Sequence, residues 1–354
     1  MRQFLLFCIL SVASSCWGAE ESHISATVKE VIVHSKSELI NGQKHESQLL
    51  LLKLEDGREV EALNPIPVGT PYRIILKKSD RVLVHEEEGV FFIEGYQMDH
   101  VCWVLFAIFA FLILLVGRKK GVFTLVSLGL KGSLLMLVIV PAIKSGRSPI
   151  LMASIFSVLA TILTITFVSG FNRKSLAACV GSIGGVAVAG LIGYWAVSSA
   201  HVTGLLKTET QSLYHQFPQI KIMQLIPAGV LIGSLGATMD VAISIASSLL
   251  EIHIAAPHKK FLELYKIGIN IGQDVMGTMI NTLILAYAGG ALATVLLISE
   301  LDWRFLLNTE MIMEEIILAI VGSIGLILAI PLTALIGSYL YTSQKLPLHE
   351  KSDS

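Results

Sequence analysis

Between residues 101 and 341 the chain is a succession of apolar runs, near 101–117, 121–141, 149–170, 176–197, 223–250, 270–299 and 315–341. About 20 helical residues cross the hydrocarbon core of a bilayer, which holds no water to satisfy free amides and carbonyls, so only helices or closed barrels span it. Runs of this number and length predict an α-helical membrane bundle of about seven transmembrane helices, the first being the shortest. Composition agrees, with 53% hydrophobic and 15% charged residues and a mean hydropathy of +0.71, well beyond a soluble domain of this length. The net charge is −1 and the basic residues are scattered through loops, which excludes the dense basic patch of a nucleic-acid partner. The expected partner is the lipid bilayer.

The N-terminus reads differently. Arg2, the apolar run from Phe4 to Val12 and the small residues Ala13 to Cys16 resemble a secretory signal over residues 1–19. Cleavage after Gly18 or Ala19, a lipoprotein-type cut before Cys16, and an uncleaved anchor all deliver the next segment across the membrane. Residues 20–100 hold short β-type runs at Ile24–Val33, Gln48–Leu54, Glu59–Leu63, Tyr72–Leu76, Arg81–Val84 and Val90–Ile93, separated by turn residues such as Glu55-Asp56-Gly57. These predict a small extracytoplasmic barrel or sandwich of five or six strands. Glu86, Glu87 and Glu88 form either a cation site or a solvated strand end. Cys102 and Cys179 fall in apolar runs and imply neither a disulfide nor a metal framework.

Loop charge orients the bundle. With the β domain outside, the inner segments carry Arg118, Lys119, Lys120, Arg173, Lys174, Lys259, Lys260, Lys266, Lys345 and Lys351, against Lys144, Arg147, Lys207, Lys221 and Arg304 on the other side. Ten against five follows the positive-inside tendency. The membrane domain is thus expected over 101–343 and a cytoplasmic tail over 344–354. Segment 198–222, which interleaves apolar and polar residues, is either a connector lying at the interface or a gate.

Chemistry is expected where carboxylates interrupt apolar runs. Asp240, Ser244, Ser247 and Glu251 share one face of the fifth run, and Asn270, Asp274, Thr278 and Asn281 share one face of the sixth. An intramembrane carboxylate usually faces a protein interior or a hydrated path. Antiparallel helices would set the two stripes side by side as an oxygen ladder suited to a cation or a proton. Interhelical hydrogen bonds that only fix packing are the competing reading. Neither stripe contains His or Cys, and Met239, Met276 and Met279 suit core packing better than a soft-metal site. No cofactor and no catalytic residue is identified, and a bound cation is the one ligand suggested.

Glycines at 229, 233, 236, 268, 272, 277, 289 and 290 permit close helix contact or local unwinding. Val180-Gly181-Ser182-Ile183-Gly184 recurs as Val321-Gly322-Ser323-Ile324-Gly325, in runs that this topology orients oppositely. The recurrence fits inverted repeats over runs two to four and five to seven, and it also fits chance similarity between apolar segments.

The segments Gly236 to Ser248, Asn270 to Gly289, Val321 to Gly325 and Pro331 to Ala334 together resemble the YibE/F family. The resemblance implies a bacterial multipass membrane protein and supplies no substrate. The expected function is a secondary transporter or permease of the inner membrane for a small ion or solute, with Asp240, Asp274, Thr278, Asn281, Ser244 and Ser247 as its binding residues. A noncatalytic assembly or sensing protein, whose exported β domain binds a protein partner, is the alternative. An intramembrane aspartyl hydrolase is the third reading. A phosphate-binding Gly-rich Lys motif is absent, so ATP-driven transport is not indicated.

Overall fold

Strands come first in the chain and helices follow. The computed structural model describes residues 24–40, 43–67, 74–87, 89–298 and 302–343. The expected leader over 1–19 and the tail over 344–354 lie outside them.

Five strands, β1 (Ile24–Ile40), β2 (Gln43–Leu54), β3 (Glu59–Pro67), β4 (Arg81–Glu87) and β5 (Val90–Tyr96), close into a barrel in the order β1-β2-β3-β5-β4. Among the described strands only β3 and β5 pair in parallel. The period-2 alternation puts Leu50, Leu52, Leu54, Val82 and Val84 inside, as a half-buried sheet requires. At the β2–β3 turn Gly57 takes a φ of 87°, and the Asp56 carboxylate accepts from the Arg58 amide at 2.9 Å and from its Nε at 2.6 Å. Those two bonds hold the Asp56 carboxyl below its ordinary range. The expected run at Tyr72–Leu76 is not a strand where it is described, from Ile74 onward. Side chains replace the ladder there: Gln48 Oε1 accepts the Leu76 amide at 3.0 Å, and Asn64 Nδ2 donates to the Ile74 carbonyl at 2.8 Å. Glu86 and Glu87 are exposed at the end of β4.

The helices are α1 (Asp99–Leu134), a π-turn (Leu135–Ile139), α2 (Val140–Lys144), α3 (Pro149–Ser169), α4 (Arg173–Ser199), α5 (Thr208–Gln216), α6 (Leu225–Ala255), α7 (Phe261–Gly290), α8 (Leu292–Ile298), α9 (Trp303–Leu307) and α10 (Glu310–Thr342). Among the described residues five segments are long and apolar enough to cross a membrane: Asp99–Lys144, Pro149–Phe167, Arg173–Ser199, Ile222–Ala255 and Glu310–Thr342. Two features separate this number from the seven expected. The runs at 101–117 and 121–141 form one helical segment of 46 residues, bent at Arg118, whose φ of 46° and ψ of −123° are not helical. The expected run at 270–299 begins instead at Phe261 and ends at Gly290, and with its polar stripe it is not among the five. Arg118 also ends the compact unit that contains the barrel, and a second unit begins at Lys119. None of the described side chains from Val101 to Lys120 is buried.

Small residues bring the helices of the second unit together. Gly181 lies against Thr333, Gly185 against Ala329 and Gly325, and Gly325 against Ala189. Numbers that rise on α4 as they fall on α10 make the pair antiparallel. A Cβ at Gly185 would stand 2.5 Å from the Gly325 carbonyl oxygen and 2.8 Å from the Ala329 Cβ, so only glycine permits this approach. The α7 helix also runs antiparallel to α10, with Gly268 against Ala334, Gly272 against Ile330 and Leu283 against Gly322. Leu249 against Gly337 and Ser234 against Gly322 set α6 parallel to α10, and so antiparallel to α7. The two Val-Gly-Ser-Ile-Gly motifs therefore sit on touching helices of opposite direction, but each meets residues outside the other motif, Gly181 against Thr333 and Gly325 against Gly185 and Ala189.

Candidate functional site

Helical spacing fixes which residues share a face, and packing decides where that face points. On α6 the buried side is made by Val241, Ala242, Ile245, Ala246 and Leu249, all fully enclosed. Asp240, Ser244 and Glu251 are exposed on the other side, with Ser247 half-buried beside them. The Ser244 Oγ donates to the Asp240 backbone carbonyl at 2.8 Å, so the hydroxyl is satisfied within its own helix.

The same division is sharper on α7. Leu264, Gly268, Gly272 and Leu283 are its buried residues. Asn270, Asp274, Thr278 and Asn281 are exposed. At about 100° per residue, Asp274 lies roughly 200° around the helix from Gly272, on the side away from α10. Thr278 and Thr282 donate to the carbonyls of Val275 and Thr278, each at 2.9 Å. The expected ladder is thus corrected in one respect. The α6–α7 pair is antiparallel as its register required, but α7 turns Gly268 and Gly272 inward and its polar stripe outward. Among the described residues no hydrogen bond or ion pair joins the two stripes. The competing reading, an interhelical hydrogen bond that only fixes packing, has no counterpart at the Asp240 or Asp274 carboxylate among those residues.

A lysine that sequence reasoning passed over lies within electrostatic reach of the first carboxylate. Lys131 of α1 is half-buried and close enough to Asp240 for the two charges to act on each other. It is the single charged residue in the run 121–141. A lone ammonium in one apolar run and a lone carboxylate in another was the available signal, because intramembrane charges tend to pair. The count of loop charges left Lys131 out.

Segment 198–222 is fastened to the first turns of α10. Lys207 Nζ reaches Glu314 at 3.1 Å and Glu315 at 3.2 Å. Glu310 Oε1 accepts from Thr203 Oγ1 at 2.8 Å and from the Gly204 amide at 2.5 Å. Desolvation lowers the Lys207 pKa, but hydrogen bonds and charge from Glu314 and Glu315 outweigh it and hold the ammonium above its ordinary range. The intervening helix α5 buries none of its residues. The segment is held at its other end too, where Gln219 Nε2 donates to the Lys144 carbonyl at 2.7 Å and the Lys144 ammonium lies over the Phe217 ring, so it is a connector clamped at both ends.

Among the described residues no group of three or more His, Cys, Asp or Glu is placed to hold a metal ion. A cation held at either stripe would take one carboxylate together with hydroxyl, amide or carbonyl oxygens, the donor set of a hard ion. Cys102 and Cys179 are free.

A family model described as YibE/F-like protein matches residues 105–343, from the first apolar helix to the end of α10. No curated protein and no solved structure matches the chain.

Proposed function

Since the chain belongs to the YibE/F-like family and carries five helices of membrane-spanning length and apolarity, we propose that it is a multipass permease of the bacterial inner membrane. In this reading α7 and the two halves of the segment bent at Arg118 complete seven crossings. The barrel is extracytoplasmic and the C-terminus cytoplasmic, in keeping with the loop charges. The protein is a secondary transporter and not an enzyme. Asp240 and Asp274 bind the transported or coupling cation, or carry a proton, and Ser244, Ser247, Thr278 and Asn281 extend the oxygen-lined path.

One observation supports this most: the outward face of α7, where Asn270, Asp274, Thr278 and Asn281 are all exposed. An aspartate facing lipid at mid-membrane costs about 2.5–3.5 kcal/mol on insertion scales. A helix packed along its length on α6 and α10 with such a face requires water or protein there, and a hydrated path meets that need. Exposure leaves the carboxylates free to exchange a ligand, which a satisfied packing bond would prevent. The absence of any bond between Asp240 and Asp274 among the described contacts favours ligand binding over paired acid–base hydrolysis.

Flux in proteoliposomes tests the proposal. Asp240→Asn and Asp274→Asn, at unchanged membrane abundance, should each reduce ion- or proton-coupled flux at least tenfold, and full flux in both variants rejects the assignment.

The separate compact unit formed by the barrel favours a second reading, in which the exported domain binds a protein partner and the membrane unit assembles or senses. Loss of phenotype on deleting residues 20–100, without loss on neutralising the aspartates, would select it.

A further inference from the structure

The end of the bundle where α3 turns into α4 contains a cavity of about 260 Å³ lined by none of the stripe residues. Its walls are Arg173 and Lys174 from the first turn of α4, Leu250 and His253 from α6, and Leu340 and Tyr341 from α10. Three of the six carry basic nitrogens and none carries a carboxylate. Asn172 also borders the space but is committed to capping, accepting from the Ser175 amide at 2.9 Å and donating to the Ser169 carbonyl at 2.7 Å.

The donors that remain are under-used. Arg173 gives one guanidinium N–H to the Leu340 carbonyl at 2.7 Å and keeps others for a ligand. The amides of Arg173 and Lys174 open the helix, where no intrahelical acceptor exists and the macrodipole is positive. His253 is only 6% exposed, its ring is stacked on Tyr341 with centroids 6.0 Å apart, and its Nδ1 is buried without a hydrogen-bond partner. Buried polar nitrogens are seldom left so, and each such case asks for a missing partner.

We propose that this cavity binds a phosphate group. Basic side chains, helix-opening amides and a histidine together make an anion site. The volume falls below the range of about 300–1,000 Å³ usual for drug-sized ligands, which suits one phosphate and not a nucleotide. Leu250 and Leu340 add an apolar wall that fits the glycerol and first methylenes of a lipid, and basic pockets between membrane helices hold anionic headgroups. The same chemistry serves the headgroup of an anionic phospholipid and free phosphate. This proposal stands independently of the transport reading.

Thermal unfolding of the full chain in neutral detergent tests it, with inorganic phosphate, phosphatidylglycerol and zwitterionic phosphatidylcholine as probes. Phosphatidylglycerol or phosphate should raise the melting temperature, and phosphatidylcholine should do so far less. A response to phosphatidylglycerol alone assigns the site to a lipid, and a response to phosphate assigns it to a free anion. Lys174→Gln, which leaves the Arg173–Leu340 bond in place, should weaken binding roughly fivefold, and the double variant Arg173→Gln/Lys174→Gln roughly 25-fold. His253→Phe keeps a ring against Tyr341, removes Nδ1 and should weaken binding without lowering the melting temperature of the ligand-free protein. Equal stabilisation by the two lipids with no effect of phosphate, or undiminished binding in Lys174→Gln, overturns the proposal.

Discussion

A glycine or a charge inside a membrane helix acquires meaning from its neighbours, and two residue-scale contrasts make this measurable. Gly185→Ala would drive a Cβ to 2.5 Å from the Gly325 carbonyl oxygen and should destabilise the fold by about 1–3 kcal/mol. Gly236→Ala meets nothing within 4 Å and should be neutral or stabilising by up to about 1 kcal/mol, the helix-propensity difference. Thermal melts of the two variants side by side check the pair. Lys131→Met leaves Asp240 without its nearby cation and should lower folded abundance, at a cost of about 1 kcal/mol or less. Adding Asp240→Asn should restore much of that abundance, and no recovery in the double variant would deny the coupling. Spacing made the stripe of Asp240 and the stripe of Asp274 legible in advance. The partnership with Lys131 was not legible, because it joins helices more than a hundred residues apart and no periodicity links them.

At the scale of elements, α7 is the unusual helix. Its stripe was readable from spacing, but its bounds, Phe261–Gly290 where 270–299 was expected, and its rotation about its own axis were not. Gly268 and Gly272 settle that rotation by admitting Ala334 and Ile330 of α10, and the polar face then turns outward. Cysteine substitution along α7 reads the result directly. With a hydrated path, positions 270, 274, 278 and 281 should react with a water-soluble thiol reagent in membranes, and positions 272 and 283 should not. Uniform protection of all six would remove the path. Strands show the same division of information: alternation located β2 and β4, whereas Ile74–Leu76, apolar enough to be read as a strand, is held by Gln48 and Asn64 side chains instead of a neighbouring ladder.

For the whole molecule, the change of composition near residue 100 correctly separates strands from helices, yet the compact units part at Arg118, some twenty residues further on. The first apolar run up to Arg118 falls in the barrel's unit and no side chain from Val101 to Lys120 is buried, a property of contacts that hydropathy does not report. Limited proteolysis in detergent should accordingly cut near Arg118 to Lys120 and leave a helical fragment from about residue 119 that still elutes as a single species. A fragment that aggregates at once would show that the helical unit depends on the barrel.

The seam between α4 and α10 carries a mechanical corollary. Where a carbonyl of one backbone already rests on the other, no film of water fits and no rotamer can yield, so parting these helices would open a void with nothing to fill it. They must travel as a single beam, and the hinge of any rocking cycle lies at another joint.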